Sequence, residues 1–195
     1  MTVVVVGPPG AGKSTLAGIL SAETGLPVVA FDAGPARWYR PFGYTEARAE
    51  YWYRQGGLPA WHRYTAQFDV RALHHAVRSG TAAVVDTGGG VVLQEQASAR
   101  ALLDDALDRA RAVIVACPHP DDPARALRTL SQRLAERGDA DDWDTPGGRR
   151  LVARLLDAGL ALRDRADAVW DSGVGHWASG KPRRPGEPLA AASGT

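Results

Sequence analysis

Cysteine is almost absent from this sequence of 195 residues, which contains a single one, Cys117. One thiol excludes a disulfide framework and a cysteine-based metal cluster. Cys117 lies at the end of an apolar run, so we expect a buried and unreactive side chain. Long apolar runs are missing too, and no stretch approaches the ~18 residues needed to span a bilayer.

Strong charge of one sign is also missing, because the formal net charge is only +1. A near-neutral chain offers no broad basic surface for nucleic acid or a membrane, so we expect neither partner. No charged-then-apolar segment precedes the first apolar run, so we expect no secretory signal and a cytoplasmic location. The composition, 45% hydrophobic and 23% charged, is that of a globular protein. The length suits one domain with a core and is marginal for two.

Lysine is scarce as well, since the chain has only Lys13 and Lys181. Lys13 lies in the most specific motif of the chain, Gly7-Pro-Pro-Gly-Ala-Gly-Lys-Ser14. An apolar run precedes this G-x-x-x-x-G-K-[ST] pattern and a helical pattern follows it, which is the context of a phosphate-binding P-loop. The predicted nucleotide contacts are Gly7, Gly10, Ala11, Gly12, Lys13, Ser14 and Thr15. Glycines let successive N–H groups point at an anion, Lys13 would reach the β- and γ-phosphates, and Ser14 would bind Mg²⁺. The motif therefore predicts ATP and Mg²⁺ as cofactors.

Short apolar runs alternate with longer amphipathic stretches along the whole chain. The predicted strands are 3–6, 27–31, 82–86, 112–116 and 168–171, and the helical stretches are 13–23, 36–55, 59–79, 94–110, 123–137 and 148–165. Such alternation is typical of an α/β fold with a mostly parallel sheet covered by helices on both faces. Ligands of such sheets bind at the carboxyl ends of the strands, so the residues that follow each strand matter most.

Two predicted strands end in aspartate, at Asp32 and at Asp86. A carboxylate after an apolar strand is the usual second element of a P-loop magnesium site, and Asp32 would face the mouth of the P-loop. The alternative for both is a helix cap or turn former. Three glycines, Gly88, Gly89 and Gly90, follow Asp86 and Thr87. They allow a ligand to approach the backbone closely, although a flexible connector is the alternative.

The P-loop, Asp32 and the sequence Thr87-Gly-Gly-Gly90 together resemble the shikimate kinase family, within the nucleoside monophosphate kinase group of P-loop proteins. The resemblance covers roughly residues 1–171. It implies a three-layer sandwich with a five-stranded parallel sheet of order 2-3-1-4-5. It also implies ATP as the phosphoryl donor, a mobile lid after the fourth strand, Asp32 near Mg²⁺ and the acceptor hydroxyl, and Gly88, Gly89 and Gly90 at the acceptor.

The sequence departs from the family's pattern mainly around the acceptor. Family members carry D-x-D after the second strand, but Gly34 replaces the second carboxylate here. The family's late arginine, which grips the substrate's carboxylate, has no clear equivalent here, because Ala158 lies near its place. The R-P pair of the family's lid is also missing, and Asp86 replaces the small residue that usually precedes T-G-G-G. Arg63 is the best match for an arginine before the third strand and is our predicted substrate anchor. We therefore expect a ring-bearing, hydroxylated acceptor that is not shikimate.

The predicted acceptor segment, 32–80, is rich in aromatic and basic side chains. Residues 31–68 contain eleven of the fourteen aromatic residues, interleaved with arginines and His62. Rings offer stacking surfaces and arginines bind anionic groups, although some rings must simply pack the core. The predicted lid, 128–147, supplies Arg133 and Arg137, four residues apart. These would neutralise the transferred phosphoryl group, unless they form a solvated helix face.

These features predict an ATP- and Mg²⁺-dependent kinase that phosphorylates a hydroxyl group of a small molecule. The predicted catalytic residues are Lys13, Asp32, Arg133 and Arg137. The predicted metal ligands are Ser14, Asp32 and Asp86. Two alternatives remain. One is a nucleotide kinase that binds its acceptor phosphate through Arg37, Arg40 and Arg63. The other is an ATPase or nucleotide-binding switch without a small acceptor. We expect one domain at 1–178, a disordered tail at 179–195, and a monomer or homodimer.

Overall fold

A single sheet runs through the computed structural model. The structure describes the backbone of residues 1–137 and 140–180, and it describes their side chains except those of residues 35, 36, 140 and 141. The strands are β1 (Thr2–Val6), β2 (Val28–Ala30), β3 (Ala83–Asp86), β4 (Ala112–Cys117), β5 (Ala168–Asp171) and β6 (His176–Ser179). Their order is β2-β3-β1-β4-β5-β6, with the first five strands parallel and β6 antiparallel to β5. The predicted α/β class and the order 2-3-1-4-5 are confirmed.

The sixth strand corrects the prediction of a five-stranded sheet. Strand β6 is mostly exposed and reads His-Trp-Ala-Ser, so it lacks the continuous apolar run that marks the buried strands. A cross-strand pair holds it in place, because the Trp170 and Trp177 rings meet edge to face with centroids 5.1 Å apart. Ser179, the predicted start of the tail, is the last residue of this strand. The rest of that prediction, from residue 181 onward, lies outside the described residues.

Helices flank the sheet. They are α1 (Lys13–Thr24), α2 (Pro35–Tyr39), α3 (Glu46–Arg78), α4 (Ala97–Arg109), α5 (Pro123–Ala135), α6 (Ala140–Trp143) and α7 (Pro146–Ala161), with single 3₁₀ turns at Arg40–Phe42, Gly89–Val92 and Arg163–Arg165. Helix α3 breaks at Gly56 and Gly57, where Gly57 has a φ of 61°. Pro59 follows in the first turn of the second half, where a missing N–H costs nothing. None of the helices in the described ranges is long and apolar enough to cross a membrane.

Side chains at the helix starts explain where three of these helices begin. Thr45, Asp122 and Thr145 precede α3, α5 and α7, and each accepts a hydrogen bond from the backbone N–H three residues later. Such caps satisfy amide groups that have no partner inside the helix. The caps of α5 and α7 are followed directly by proline. The cap and the proline together fix the starts of α5 and α7, the two helices that frame the predicted lid.

The core lies between the central strands and the helices. Val4, Val5 and Val6 of β1 are fully buried, as is Ile114 of β4. Burying a side chain of this size contributes about 1.5–3 kcal/mol relative to leaving it exposed. Because β1 is held on both edges by β3 and β4, the loop that follows it starts from a rigid position. That loop is the predicted P-loop.

Candidate functional site

The loop after β1 has the curled backbone that the P-loop motif predicts. Gly7, Gly10 and Gly12 have φ values of 154°, 77° and 82°, in the region that favours glycine. A Cβ on Gly7 would collide with the carbonyl oxygen of Ala116, so this glycine is also required by the close approach of β4. Gly12 lies directly before α1, whose N-terminal amides face the loop. Of the other predicted contacts, Ala11 is buried, whereas Ser14 and Thr15 are exposed.

Lys13 is buried among carboxylates. Its side chain is 6% exposed, and Nζ donates a hydrogen bond of 3.1 Å to the carbonyl oxygen of Pro8. Burial lowers the pKa of the ammonium group, whereas the charges of Asp32, Asp86 and Asp69 raise it. The net effect is a lowered pKa, which the three carboxylates only partly offset. Such an ammonium group is well placed for a phosphate that enters the loop.

Asp86 ends β3 directly beside the P-loop. It is 4% exposed, and burial raises the pKa of its carboxyl group, while a hydrogen bond from Ser14 and the charge of Lys13 lower it. The next residue, Thr87, is held structurally, because its hydroxyl donates a 2.9 Å hydrogen bond to the carbonyl oxygen of Val5. The structure therefore brings the predicted metal ligands Ser14 and Asp86 together. A hydroxyl and one or two carboxylates beside a phosphate site are a typical donor set for Mg²⁺.

Asp32 opens into a cavity beside the P-loop. Phe31 is fully buried and its amide donates a 3.1 Å hydrogen bond to the carbonyl oxygen of Asp86, which fixes the backbone just before Asp32. The Asp32 side chain itself is exposed to the cavity. Its surroundings are nevertheless protein on most sides, so desolvation raises its pKa, against the opposing charges of Lys13 and Arg137. A carboxylate with a raised pKa is better suited to accept a proton near neutral pH.

The cavity has a volume of about 600 Å³, within the usual range of small-molecule sites. Pro9 of the P-loop, Asp32, Gly89 and Gly90 lie on its lining, as do aromatic rings from the predicted acceptor segment. The aromatic lining residues are Tyr39, Tyr44, Tyr53, Trp61 and Trp143. Of the eleven aromatic residues in 31–68, five are buried: Phe31, Tyr39, Tyr44, Tyr64 and Phe68. Some of these rings therefore pack in the core, and some line the cavity, with Tyr39 and Tyr44 in both groups.

The structure separates the two predicted lid arginines. Arg137 lines the cavity, and its charge acts on both Lys13 and Asp32. Arg133 instead donates hydrogen bonds to the carbonyl oxygen of Gly10 (3.0 Å) and to the hydroxyl (3.0 Å) and carbonyl (2.7 Å) oxygens of Ser172. Arg133 therefore ties the P-loop to the turn after β5, and its predicted role toward the transferred phosphate stays a prediction.

The three glycines after Thr87 are packed tightly by the protein itself. A Cβ on Gly88 or Gly90 would meet the carboxylate of Asp69, and a Cβ on Gly89 would lie 2.5 Å from Cγ of Pro9. Gln94 holds the 3₁₀ turn that these glycines form, donating to the carbonyl oxygens of Ala66, Gly90 and Val91. The connector alternative is therefore wrong, because this segment is buried and anchored rather than flexible.

Sequence reasoning missed the buried polar group beneath these glycines. Asp69 is 4% exposed, accepts a hydrogen bond from the hydroxyl of Tyr39, and has a pKa raised to about 7, mainly by burial. His62, one side of the cavity wall, is 5% exposed and has a pKa lowered to about 4, also by burial. Its Nε2 has no hydrogen-bond partner within the described residues. The available signal was an aspartate on the apolar face of a helix, in step with Thr65 and Leu73.

Arg63, the predicted substrate anchor, does not reach this cavity. Its guanidinium group forms an ion pair with Glu95 at 3.2 Å, and Arg154 binds the same carboxylate at 2.9 Å. Both arginines line a separate groove of about 400 Å³ on the other side of His62. Because consecutive helical residues point about 100° apart, His62 and Arg63 face different spaces. The structure thus brings Lys13, Asp32, Asp86 and Arg137 together, but not Arg63.

Comparisons with known proteins agree with this fold. A family model described as an AAA domain matches residues 3–158. No curated protein matches the sequence significantly. Among solved structures, shikimate kinase from Acinetobacter baumannii in complex with shikimate is similar, with 20% identity, a TM-score of 0.57, and 86% of this chain and 81% of that chain covered. Shikimate kinase from Bacteroides thetaiotaomicron is similar at 18% identity and a TM-score of 0.52, with 89% and 87% covered. The chain therefore belongs to this AAA-domain family and has the fold of the shikimate kinase-like P-loop kinases.

Proposed function

We propose that this protein transfers the γ-phosphoryl group of ATP to a hydroxyl group of a small, ring-bearing metabolite. The observation that carries the proposal is the cavity, because a P-loop residue, a candidate base and a candidate lid arginine all contribute to its lining. An acceptor in this space would lie directly beside a phosphate held by the loop. Phosphoryl transfer depends mainly on such positioning and on charge stabilisation.

The phosphates of ATP would be held by the amides of the P-loop and by Lys13. For this, Nζ of Lys13 would exchange its hydrogen bond with the Pro8 carbonyl for a phosphate oxygen, and the surrounding carboxylates would keep the ammonium group protonated. Ser14 and Asp86, with Asp32 nearby, provide a fitting donor set for Mg²⁺. When bound, Mg²⁺ would neutralise charge on the phosphate oxygens.

Asp32 is the proposed base of the acceptor side. Its carboxylate would orient the acceptor hydroxyl and take up the proton that the hydroxyl loses as its oxygen bonds to phosphorus. The direction of its pKa shift, upward through burial, supports this assignment. Arg137 would stabilise the negative charge on the transferring group from the cavity side. Arg133 would act as a positioning residue through its contacts with Gly10 and Ser172.

The nucleotide-kinase alternative lacks support from the described part of the chain. It needs an arginine cluster for the acceptor's phosphate, but none of its three candidates is among the described residues that line the cavity. Arg37 stacks over Trp38, Arg40 pairs with Glu46, and Arg63 pairs with Glu95. The ATPase or switch alternative leaves a 600 Å³ cavity beside the P-loop without a purpose.

An acceptor panel tests the proposal against both alternatives. Purified protein would be incubated with ATP and Mg²⁺ and with sugars, cyclitols, nucleosides, nucleoside monophosphates or shikimate, and phosphorylated products would be identified by mass spectrometry. We expect transfer to a hydroxylated ring compound and little to shikimate. Transfer only to nucleoside monophosphates would establish the nucleotide kinase. ATP hydrolysis that no acceptor alters would favour the switch, and the Lys13→Ala variant controls for contaminating kinases.

A further inference from the structure

Among the charged side chains that line the cavity we assign to the acceptor, acidic ones predominate. Five carboxylates from four segments face it: Asp32, Glu46, Glu50, Asp69 and Asp142. Among the described lining residues, Arg137 is the one arginine or lysine. The remaining basic group, His62, is neutral at pH 7 because burial lowers its pKa to about 4. Asp69 is partly protonated near pH 7, because burial raises its pKa to about 7, but the other four carboxyl groups outnumber the single arginine. The lining therefore carries a negative charge that an acceptor must tolerate or match.

The charges are distributed unevenly over the cavity. Those that act on Lys13 are Asp32, Asp86, Asp69 and Arg137, which places this group at the phosphate end. Glu46 and Glu50 lie on the first half of α3, together with Ala49 and Tyr53, and these four positions form one helix face. Tyr53 donates a hydrogen bond to Asp142 of α6, so a third carboxylate stands at the same wall. Glu46, Glu50 and Asp142 are not among the charges that act on Lys13.

Neighbouring arginines leave the charge of this wall largely in place. Arg40 pairs with Glu46 and Arg54 with Glu50, but these four side chains are between 58% and 73% exposed, and neither arginine lines the cavity. Exposed ion pairs of this kind interact weakly, because water screens both charges. The pKa of Glu46 is lowered by a backbone hydrogen bond and by Arg40, which keeps its carboxylate ionised at neutral pH. A positive ligand group would therefore meet ionised carboxylates.

One further feature fits an organic cation. Tyr44, Tyr53 and Trp61 line the cavity, and aromatic faces attract ammonium groups. We propose that the acceptor carries an ammonium group, which the wall of Glu46, Glu50 and Asp142 binds while its hydroxyl faces Asp32. This inference rests on the proposed phosphoryl transfer for the role of the cavity.

Matched probes test the charge preference without catalysis. Glucosamine and glucuronate each differ from glucose at one carbon, where the first carries an ammonium group at C2 and the second a carboxylate at C6. Among carbocycles, 2-deoxystreptamine with two ammonium groups, myo-inositol and shikimate form a second, less closely matched set. Their binding would be followed by tryptophan fluorescence without nucleotide, because Trp61 and Trp143 line the cavity. We expect the cationic member of a set to bind on the order of tenfold more tightly than the neutral one, and the anionic member least. The preference should shrink as ionic strength rises to about 0.5 M.

Variants locate the preference on the acidic wall. Glu50→Gln and Glu46→Gln should each weaken binding of the cationic probe roughly two- to fivefold, as expected of partly exposed carboxylates, and leave the neutral probe unchanged. Glu23→Gln is the matched control, since Glu23 is an exposed glutamate of α1 that does not line the cavity. Equal binding of all charge types, no binding of any cationic probe, or the same loss in the control would overturn the inference.

Turnover separates this inference from the proposed function. The same probes would be incubated with ATP and Mg²⁺. A protein that prefers the cationic probe but phosphorylates no acceptor would refute the kinase proposal and retain the charge preference. A protein that phosphorylates neutral or anionic rings as efficiently as cationic ones would retain the kinase proposal and overturn the inference.

Discussion

Two buried titratable side chains beside Gly90 make opposite contributions to the pH dependence of this protein's stability. Burial raises the pKa of Asp69 from 3.8 to about 7 and lowers the pKa of His62 from 6.5 to about 4. A Cβ on Gly90 would lie 2.5 Å from Oδ2 of Asp69 and 3.1 Å from Nε2 of His62, so both groups pack against this glycine. One shift favours a neutral acid and the other a neutral base, so their effects on folding have opposite signs.

The sign follows from where protons are bound. Between pH 3.8 and about 7, Asp69 keeps its proton in the folded chain but not in the unfolded chain, so the free energy of unfolding falls as pH rises. The whole window corresponds to about 4 kcal/mol. Between about pH 4 and 6.5, His62 binds a proton only in the unfolded chain, so the free energy of unfolding rises with pH, by about 3 kcal/mol. In the wild type these two contributions nearly cancel.

Single substitutions should expose each contribution. Asp69→Asn keeps an oxygen that can accept the Tyr39 hydrogen bond but cannot ionise. Of the two contributions only that of His62 then remains, so the free energy of unfolding of this variant should rise by about 3 kcal/mol from about pH 4 to 6.5. His62→Gln should show the opposite, a fall of about 4 kcal/mol towards pH 7. The slopes carry the test, because a constant packing cost of either variant does not change them.

Urea unfolding followed by tryptophan fluorescence between about pH 4 and pH 8 measures these slopes. Tyr39→Phe serves as a control: it removes the hydrogen bond that lowers the pKa of Asp69, so the fall in stability should extend to higher pH. If Asp69→Asn and the wild type gave parallel pH profiles, Asp69 would be ionised and solvated in the folded chain, and the reasoning would be refuted.

The remaining predictions concern catalysis. Lys13→Ala should lower turnover by a factor on the order of 10² or more with little loss of stability, as steady-state kinetics and thermal unfolding would check. Asp86→Asn should raise the Mg²⁺ concentration needed for activity, and excess Mg²⁺ should partly restore the rate. Asp32→Asn should lower kcat even at saturating Mg²⁺. Equal, modest losses of stability with unchanged kinetics in both variants would instead indicate capping roles. Arg137→Ala should lower kcat and leave the free energy of unfolding unchanged, whereas Arg133→Ala should also lower that free energy by about 2–4 kcal/mol, since three hydrogen bonds are lost.

The sequence predicts the sheet and the P-loop well because both depend on local patterns. Apolar runs bounded by helical stretches define the five parallel strands, and the glycine spacing of the loop is a direct consequence of its backbone geometry. The break in α3 is equally local, since Gly56 and Gly57 precede Pro59. Strand β6 has no such pattern in its sequence. Its place in the sheet is supported by a contact with another strand, between Trp170 and Trp177, which no local pattern predicts.

Side-chain direction is where the sequence analysis fails. Spacing places Arg133 and Arg137 on one helix face, but α5 ends at Ala135, so Arg137 leaves the helical path and turns to the cavity. Arg63 matches a family position, yet the helix turns it away from the cavity and presents His62 instead. A difference of one residue in register therefore exchanges a cation for a neutral, buried imidazole. No local pattern contains that information.

The triple glycine shows why a shared motif does not transfer a substrate. The resemblance assigns these glycines to the acceptor, but the space that their side chains would fill is already taken by Asp69, Pro9 and His62. Glycine is needed here for packing, whatever the acceptor is. A chain with another substrate would keep the same motif, provided that its helix placed an aspartate against the turn. Substrate choice must then come from the rest of the cavity lining, which in this protein is acidic and aromatic. At about 20% identity to shikimate kinases, that lining is free to differ while the fold is retained.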